Sequence, residues 1–208
     1  MIEGLIGKKL GMTQIFSPEG LRLPVTVLEV GPCRVVQIKT KEKDGYEALQ
    51  LGFGTRKRAN QPLKGHLKRA KIGPQQIIRE FKGDIGEYKE GQEIKVDLFE
   101  QGDLVNVVGT SKGKGFQGVV RRYGFKGGPK SHGSGMHRSP GAIGMCAMPS
   151  KVHKGSRLPG QMGNQRVMTK NLKVIRVDPE KNLLVIKGSI PGANKGVVLV
   201  KKSMRAGQ

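Results

Sequence analysis

The chain has 208 residues, with 38 Lys and Arg against 16 Asp and Glu, a formal net charge of +22, no Trp and two cysteines. Such a cation excess implies a polyanionic partner, and no apolar run approaches the roughly 18 residues that a membrane span needs. Cys33 and Cys146 lie far apart with no CxxC pair, which argues against a disulfide scaffold and for a reducing compartment, the cytoplasm.

The opening residues, Met1 to Met12, carry Glu3, Lys8 and Lys9 without a long apolar stretch, unlike a secretory signal or transit peptide. Met12 to Phe16 and Leu23 to Val30 read as strands joined by Ser17-Pro18-Glu19-Gly20, with proline and glycine at turn positions two and four. Arg34 to Thr40 and Tyr46 to Phe53 form a second pair about Asp44-Gly45, and Leu49, Leu51 and Phe53 share one face at period two. Pro74 to Phe81 interrupts the β pattern. Proline stands where a helix begins, and Ile77, Ile78 and Phe81 lie at helical spacing, so a short helix is predicted.

Leu104 to Val108 reads as a strand, and Gly115 to Tyr123 is a second candidate helix. Near the C-terminus, Leu172 to Val177 and Leu183 to Lys187 flank the turn Asp178 to Asn182, and Val197 to Lys201 follows a Pro191-Gly192 turn. Short, turn-bounded runs rich in leucine and β-branched residues suit a closed barrel.

The charge is not spread evenly. Leu104 to Val177 spans 74 residues with 14 Lys and Arg, 14 glycines, three of the four histidines and no Asp or Glu. Within it, Gly124 to Gly163 holds ten glycines and four prolines in 40 residues and shows no periodicity. That stretch is predicted to be an extended arm, disordered alone and ordered on its partner.

Several patterns in the window imitate catalytic motifs. Gly113-Lys114-Gly115-Phe116-Gln117-Gly118 has the glycine spacing of a dinucleotide fingerprint and of a kinase glycine-rich loop. Both need a carboxylate downstream, for the ribose hydroxyl or for magnesium and base catalysis, and none occurs before Asp178. A structural turn, or a loop whose amides and lysines meet phosphates, explains the spelling better. Lys114 is followed by Gly115, which excludes a Walker loop. His132, His137, Cys146 and His153 could be drawn as a zinc set, but their spacing fits no finger; no metal is expected, and the histidines suit phosphate or ribose contacts or a plain surface role. A Ser-His-Asp triad would have to borrow its acid from outside the window, so no catalytic residue is expected. Ile143, Met145, Cys146, Ala147 and Met148 would form an exposed apolar patch on the free chain, suited to burial in the partner, among bases if that is a nucleic acid, or against the barrel.

Longer blocks carry a family resemblance. Gly4-Leu5-Ile6-Gly7-Lys8-Lys9-Leu10-Gly11-Met12-Thr13-Gln14-Ile15-Phe16 resembles the opening signature of the large-subunit ribosomal protein L-three family. Gly109 to Val120, Ser131 to Ser134, His137 to Gly144 and Gly160 to Asn164 resemble its later blocks, in order and at a size like the bacterial members. The resemblance implies a mainly β fold: a six-stranded translation-protein-type β-barrel with short helices and a long extended basic arm. The body would span 1–110 and 171–208, with a small helical insertion near 60–82, and the arm would span 111–170.

By the same resemblance the protein would be a non-enzymatic constituent of the large ribosomal subunit. It would bind ribosomal RNA near its 3′ region, act early in assembly, and send its arm toward the peptidyl transferase centre. The RNA-binding residues implied are Lys8, Lys9, Lys112, Lys114, Arg121, Arg122, Lys126, Lys130, His132, His137, Arg138, Lys151, Lys154, Arg157, Arg166 and Lys170. Gln161 matches a glutamine that some bacterial members convert to N5-methylglutamine. Implied partners are large-subunit ribosomal RNA and neighbouring proteins of the L-fourteen and L-nineteen families, with no cofactor, membrane or homo-oligomer. Met148-Pro149-Ser150-Lys151-Val152-His153 departs from the usual family spelling, Asp-Pro-Gly-Arg-Val-Phe, at the arm's tip. The competing readings are a nucleotide-using enzyme and an architectural nucleic-acid binder outside the ribosome.

Overall fold

Alternating apolar residues and closely spaced turn signals produce a mainly β chain, seen in a computed structural model that describes residues 2–83, 86 and 88–203. The strands are β1 (Gly4–Phe16), β2 (Arg22–Val30), β3 (Cys33–Lys39), β4 (Ala48–Thr55), β5 (Gln75–Phe81), β6 (Glu93–Ile94), β7 (Leu104–Thr110), β8 (Gly115–Gln117), β9 (Gly160–Met162), β10 (Arg166–Asp178), β11 (Leu183–Lys187) and β12 (Val197–Lys202). The α-helices are α1 (Lys41–Asp44), α2 (Gln61–Lys68) and α3 (Val119–Tyr123). The chain divides into two compact units, 1–110 with 166–208, and 111–165.

In the first unit six strands pair antiparallel in the order β1-β12-β7-β10-β11-β2, and β2 pairs again with β1. The sheet therefore closes on itself, which removes the open edges that would otherwise template aggregation. Leu5, Leu28, Val105, Val107, Val174, Leu184, Ile186 and Val200 point into its core, each fully buried. Burial of each such side chain is worth about 1.5–3 kcal/mol, and closure lets all six strands contribute. Gly4 is required by this closeness, because a Cβ there would overlap the carbonyl oxygen of Val200 on β12. The β1–β2 reversal uses the predicted Ser17 to Gly20 turn: Gly20 N donates to Ser17 O at 2.9 Å, and Gly20 takes a φ of +78°.

Strands 33–94 do not join that ring. They form a separate sheet ordered β5-β4-β3-β6. Leu49, Leu51 and Phe53 share a face as predicted and belong to the same core cluster as the six-stranded sheet. The opposite face packs Val36 against Leu67 of α2, with Ala70 and Ile72. α2 starts where its sequence directs, with Asn60 Oδ1 accepting from Leu63 N at 3.4 Å and Pro62 in the first turn.

The helix predicted over Pro74 to Phe81 is a strand. β5 pairs with β4 in the register Leu49↔Phe81 and Phe53↔Ile77, and Pro74 O accepts from Arg56 N at 2.9 Å, so the segment's polar backbone is committed to a ladder. Ile77 packs on the main core and Ile78 on the α2 side. With apolar residues wanted on both faces, adjacent isoleucines imitate helical spacing. Asp44-Gly45 is likewise more than a turn: α1 occupies Lys41 to Asp44, closed by Gly45 at φ +80° with its N–H on Lys41 O. Gly115 to Tyr123 is half strand and half helix, β8 followed by α3.

Candidate nucleic-acid interface

The second unit is organised by a short two-stranded ribbon. β8 pairs with β9 in the register Gly115↔Met162, Phe116↔Gln161 and Gln117↔Gly160. Its neck is zipped by Lys114 N to Met162 O and Ser111 N to Gln165 O, both 2.9 Å, and by Gln165 N to Ser111 Oγ at 3.2 Å. Gly163 makes the approach feasible. It sits at φ +72°, and a Cβ there would overlap the Lys112 carbonyl oxygen.

After Gly118 the chain turns into α3, whose Val119 is buried and whose last turn carries Arg121 and Arg122. Arg122 is the pivot of the unit. Its Nη1 donates to Leu158 O at 2.6 Å, joining the two limbs, and its guanidinium lies 5.1 Å from the Tyr123 ring centroid. Arg157 approaches the same ring at 5.8 Å. Beyond Gly124, residues 125–159 form no helix or strand, but Gly128 N donates to Met136 O at 3.0 Å, and His137 Nδ1 meets Pro129 O at 3.1 Å.

The predicted RNA-binding residues divide by burial. Lys112, Lys114, Arg121, Lys126, Lys130, His132, His137, Arg138, Lys151, Lys154 and Arg157 are exposed, and Arg122 is half-buried. No ion pair among the described residues touches 111–165, as expected where the sequence supplies no carboxylate. Arg166 and Lys170 are exposed but stand on β10, where Arg166 pairs with Thr110; both fall in the first unit, although the arm was expected to run to 170.

Lys9 is the clear correction. It is only 6% exposed, and its Nζ donates to Ile190 O at 3.1 Å and Gly192 O at 3.4 Å. A β-bulge between Lys9 and Gly11 accompanies its inward placement, and its ammonium satisfies carbonyls of the loop before β12. Lys8, its neighbour on the other face of β1, is half-buried. Alternation along one strand separates two lysines that look equivalent in the sequence.

The glycine fingerprint does not make a nucleotide site. A dinucleotide loop leads directly from a strand into a long helix, whereas here Gly115 opens β8 and only the five-residue α3 follows Gly118. The described residues also bring no three His, Cys, Asp or Glu side chains together, so His132, His137, Cys146 and His153 do not converge. Cys33 is chemically muted: burial pushes its thiol up to about 12, against a weak opposing contact with Ile6 O. Cys146 is exposed, as are Ile143, Met145 and Met148, the last at 85%.

Two aromatic residues were missed as candidates. Phe116 is 76% exposed on the ribbon and Tyr123 39% exposed on α3. The signal was present in the sequence, since a ring embedded among lysines, arginines and glycines suits a stacked base better than a core.

Dense cations without carboxylates, on backbone loosened by glycine, suit the neutralisation of a polyphosphate chain. Such a surface is that of a protein suited to a polyanionic partner. Residues 65–182 match the family model described as Ribosomal protein L3. The chain is 54% identical to large ribosomal subunit protein uL3 of Geobacillus sp. (strain WCH70), over 99% of each chain. It is 53% identical to the proteins of that name from Heliobacterium modesticaldum, over 98% of each chain, and Geotalea daltonii, over 99% of each. The chain belongs to the ribosomal protein L3 family.

Proposed function

We propose that this chain is a structural constituent of the large ribosomal subunit in the cytoplasm, and not an enzyme. Its closed six-stranded sheet is the translation-protein-type barrel body. Residues 111–165 are the RNA-binding arm, which runs toward the peptidyl transferase centre and helps organise ribosomal RNA early in assembly. The observation that carries this reading is the surface of 111–165, where ten Lys and Arg side chains stand with no carboxylate. Such a surface is self-repelling until phosphates surround it.

Within that reading, Lys112, Lys114, Arg121, Arg122, Lys126, Lys130, Arg138, Lys151, Lys154 and Arg157 are the set from which the phosphate contacts are drawn, with Lys8, Arg166 and Lys170 adding candidates from the body. His132 and His137 meet phosphate or ribose oxygens. Gln161, exposed on β9, is the methyl acceptor. The apolar residues Ile143, Met145 and Met148 are covered by RNA bases. The body's outer surface meets proteins of the L-fourteen and L-nineteen families.

Sedimentation of a cell lysate through a sucrose gradient tests the assignment. The chain is expected in the large-subunit and whole-ribosome fractions at near-stoichiometric amounts. Absence from both while ribosomes remain intact would refute it.

A further inference from the structure

We infer that Phe116 and Gln161, paired across the β8–β9 ribbon, form a platform that takes one unstacked nucleobase of an RNA strand, whose phosphate lies in the adjoining cationic cleft; this rests on the RNA-binding reading above. Directly paired residues project from the same face of a two-stranded ribbon, their Cβ atoms about 5 Å apart. Phe116 therefore presents a flat apolar face beside an amide able to hydrogen-bond a base edge. The ring is 76% exposed, and among the described residues no other ring or cation covers it. Tyr123 cannot play the same part so readily, because the guanidiniums of Arg122 and Arg157 already lie against it.

Gln161 also lines a cleft of about 420 Å³, together with Lys112, Lys114, Arg122 and Tyr123. That space accommodates a ribose phosphate and is bordered by three cations. Folding does not account for the exposed ring, since α3 anchors through buried Val119 and the ribbon's neck is held by backbone bonds. Charge selects the occupant. An apolar protein segment could cover Phe116 but would leave Lys112, Lys114 and Arg122 unneutralised, whereas a nucleotide supplies a π face and an anion together.

The test uses the full chain bound to large-subunit ribosomal RNA. Phe116→Leu should weaken binding about tenfold at fixed salt, Phe116→Tyr should restore it to within about twofold, and both should keep the wild-type salt dependence, because stacking involves no counterion release. Photocrosslinking to RNA substituted with 4-thiouridine or 5-bromouridine should label peptides containing 115–117 or 160–162. Wild-type affinity in Phe116→Leu would overturn the proposal, as would crosslinks confined to other parts of 111–165 or a crosslink from this face to a protein in purified subunits. The four nucleoside 5′-monophosphates form a separate arm: saturable binding below about 1 mM that ribosomal RNA does not displace would assign the platform to free nucleotides. Co-sedimentation of the wild-type chain with large subunits distinguishes failure of the platform from failure of the ribosomal assignment.

Discussion

Salt dependence measures the charge that residues 111–165 present to RNA. Ten basic side chains lie in 111–165, nine of them exposed and none in an ion pair among the described residues. If about half touch phosphates, counterion release at about 0.7–0.9 per contact gives a slope near −4 for log affinity against log salt. Raising KCl from about 50 to 200 mM should then weaken binding to large-subunit ribosomal RNA by about two orders of magnitude. The combined variant Lys112→Gln, Lys114→Gln, Lys126→Gln removes three exposed cations without touching the body, and should flatten the slope by about one to two units. Filter binding across a KCl series reads both. A wild-type slope shallower than about −1, or a triple variant with the wild-type slope, would refute the arm as the main phosphate contact.

Lys9→Ala should lower stability by about 2–4 kcal/mol, since it strips charge-assisted hydrogen bonds from buried carbonyls and leaves a cavity, while Lys8→Ala should change it by less than about 0.5 kcal/mol. Denaturant unfolding measures both, and an RNA-binding defect in Lys9→Ala without loss of stability would contradict its structural role. Gly163→Ala should open the neck of the ribbon, because the added methyl needs the space of Lys112 O at a backbone angle of +72°. Faster amide exchange at Lys114 and Gln165 with unchanged exchange in β1 and β12 is the expected pattern, and uniform exchange across both units would count against it. Cys146 should react with a maleimide in seconds while Cys33 stays unlabelled until the chain unfolds. Burial raises the Cys33 thiol, so the unfolded chain loses this proton first. Stability that is complete below about pH 9 should therefore decline as the pH climbs toward 12, and a Cys33→Ala variant should lose that part of the alkaline dependence.

Turn chemistry and two-residue periodicity made most strands legible. β11 and the β1–β2 reversal appear where the turns Asp178 to Asn182 and Ser17 to Gly20 place them, because those signals are local. Local signals failed where burial came from both sides. β5 carries apolar residues on two faces, and only its position between the main core and α2 explains why Ile77 and Ile78 are adjacent. The start of β1 at Gly4 was read as a family signature rather than a strand, since its glycines hide the alternation; Gly4 is needed because β12 crosses close by, and Gly7 because β2 does.

The candidate interface divides in the same way. Composition alone supplied the acid-free basic segment, since net charge over a long window survives any folding. It could not tell Lys8 from Lys9. A side chain's availability depends on which face of a strand it occupies and on what lies across from it. The chain's sequence thus determined that it meets a polyanion and belongs with the L3 family, through charge and through blocks of residues in order. The tertiary structure decided which cations remain on the surface, drew Lys9 into the body as a clamp on two carbonyls, and left one aromatic ring uncovered beside a cationic cleft. Those outcomes depend on strand register and closure, which bring residues distant in sequence within hydrogen-bonding reach.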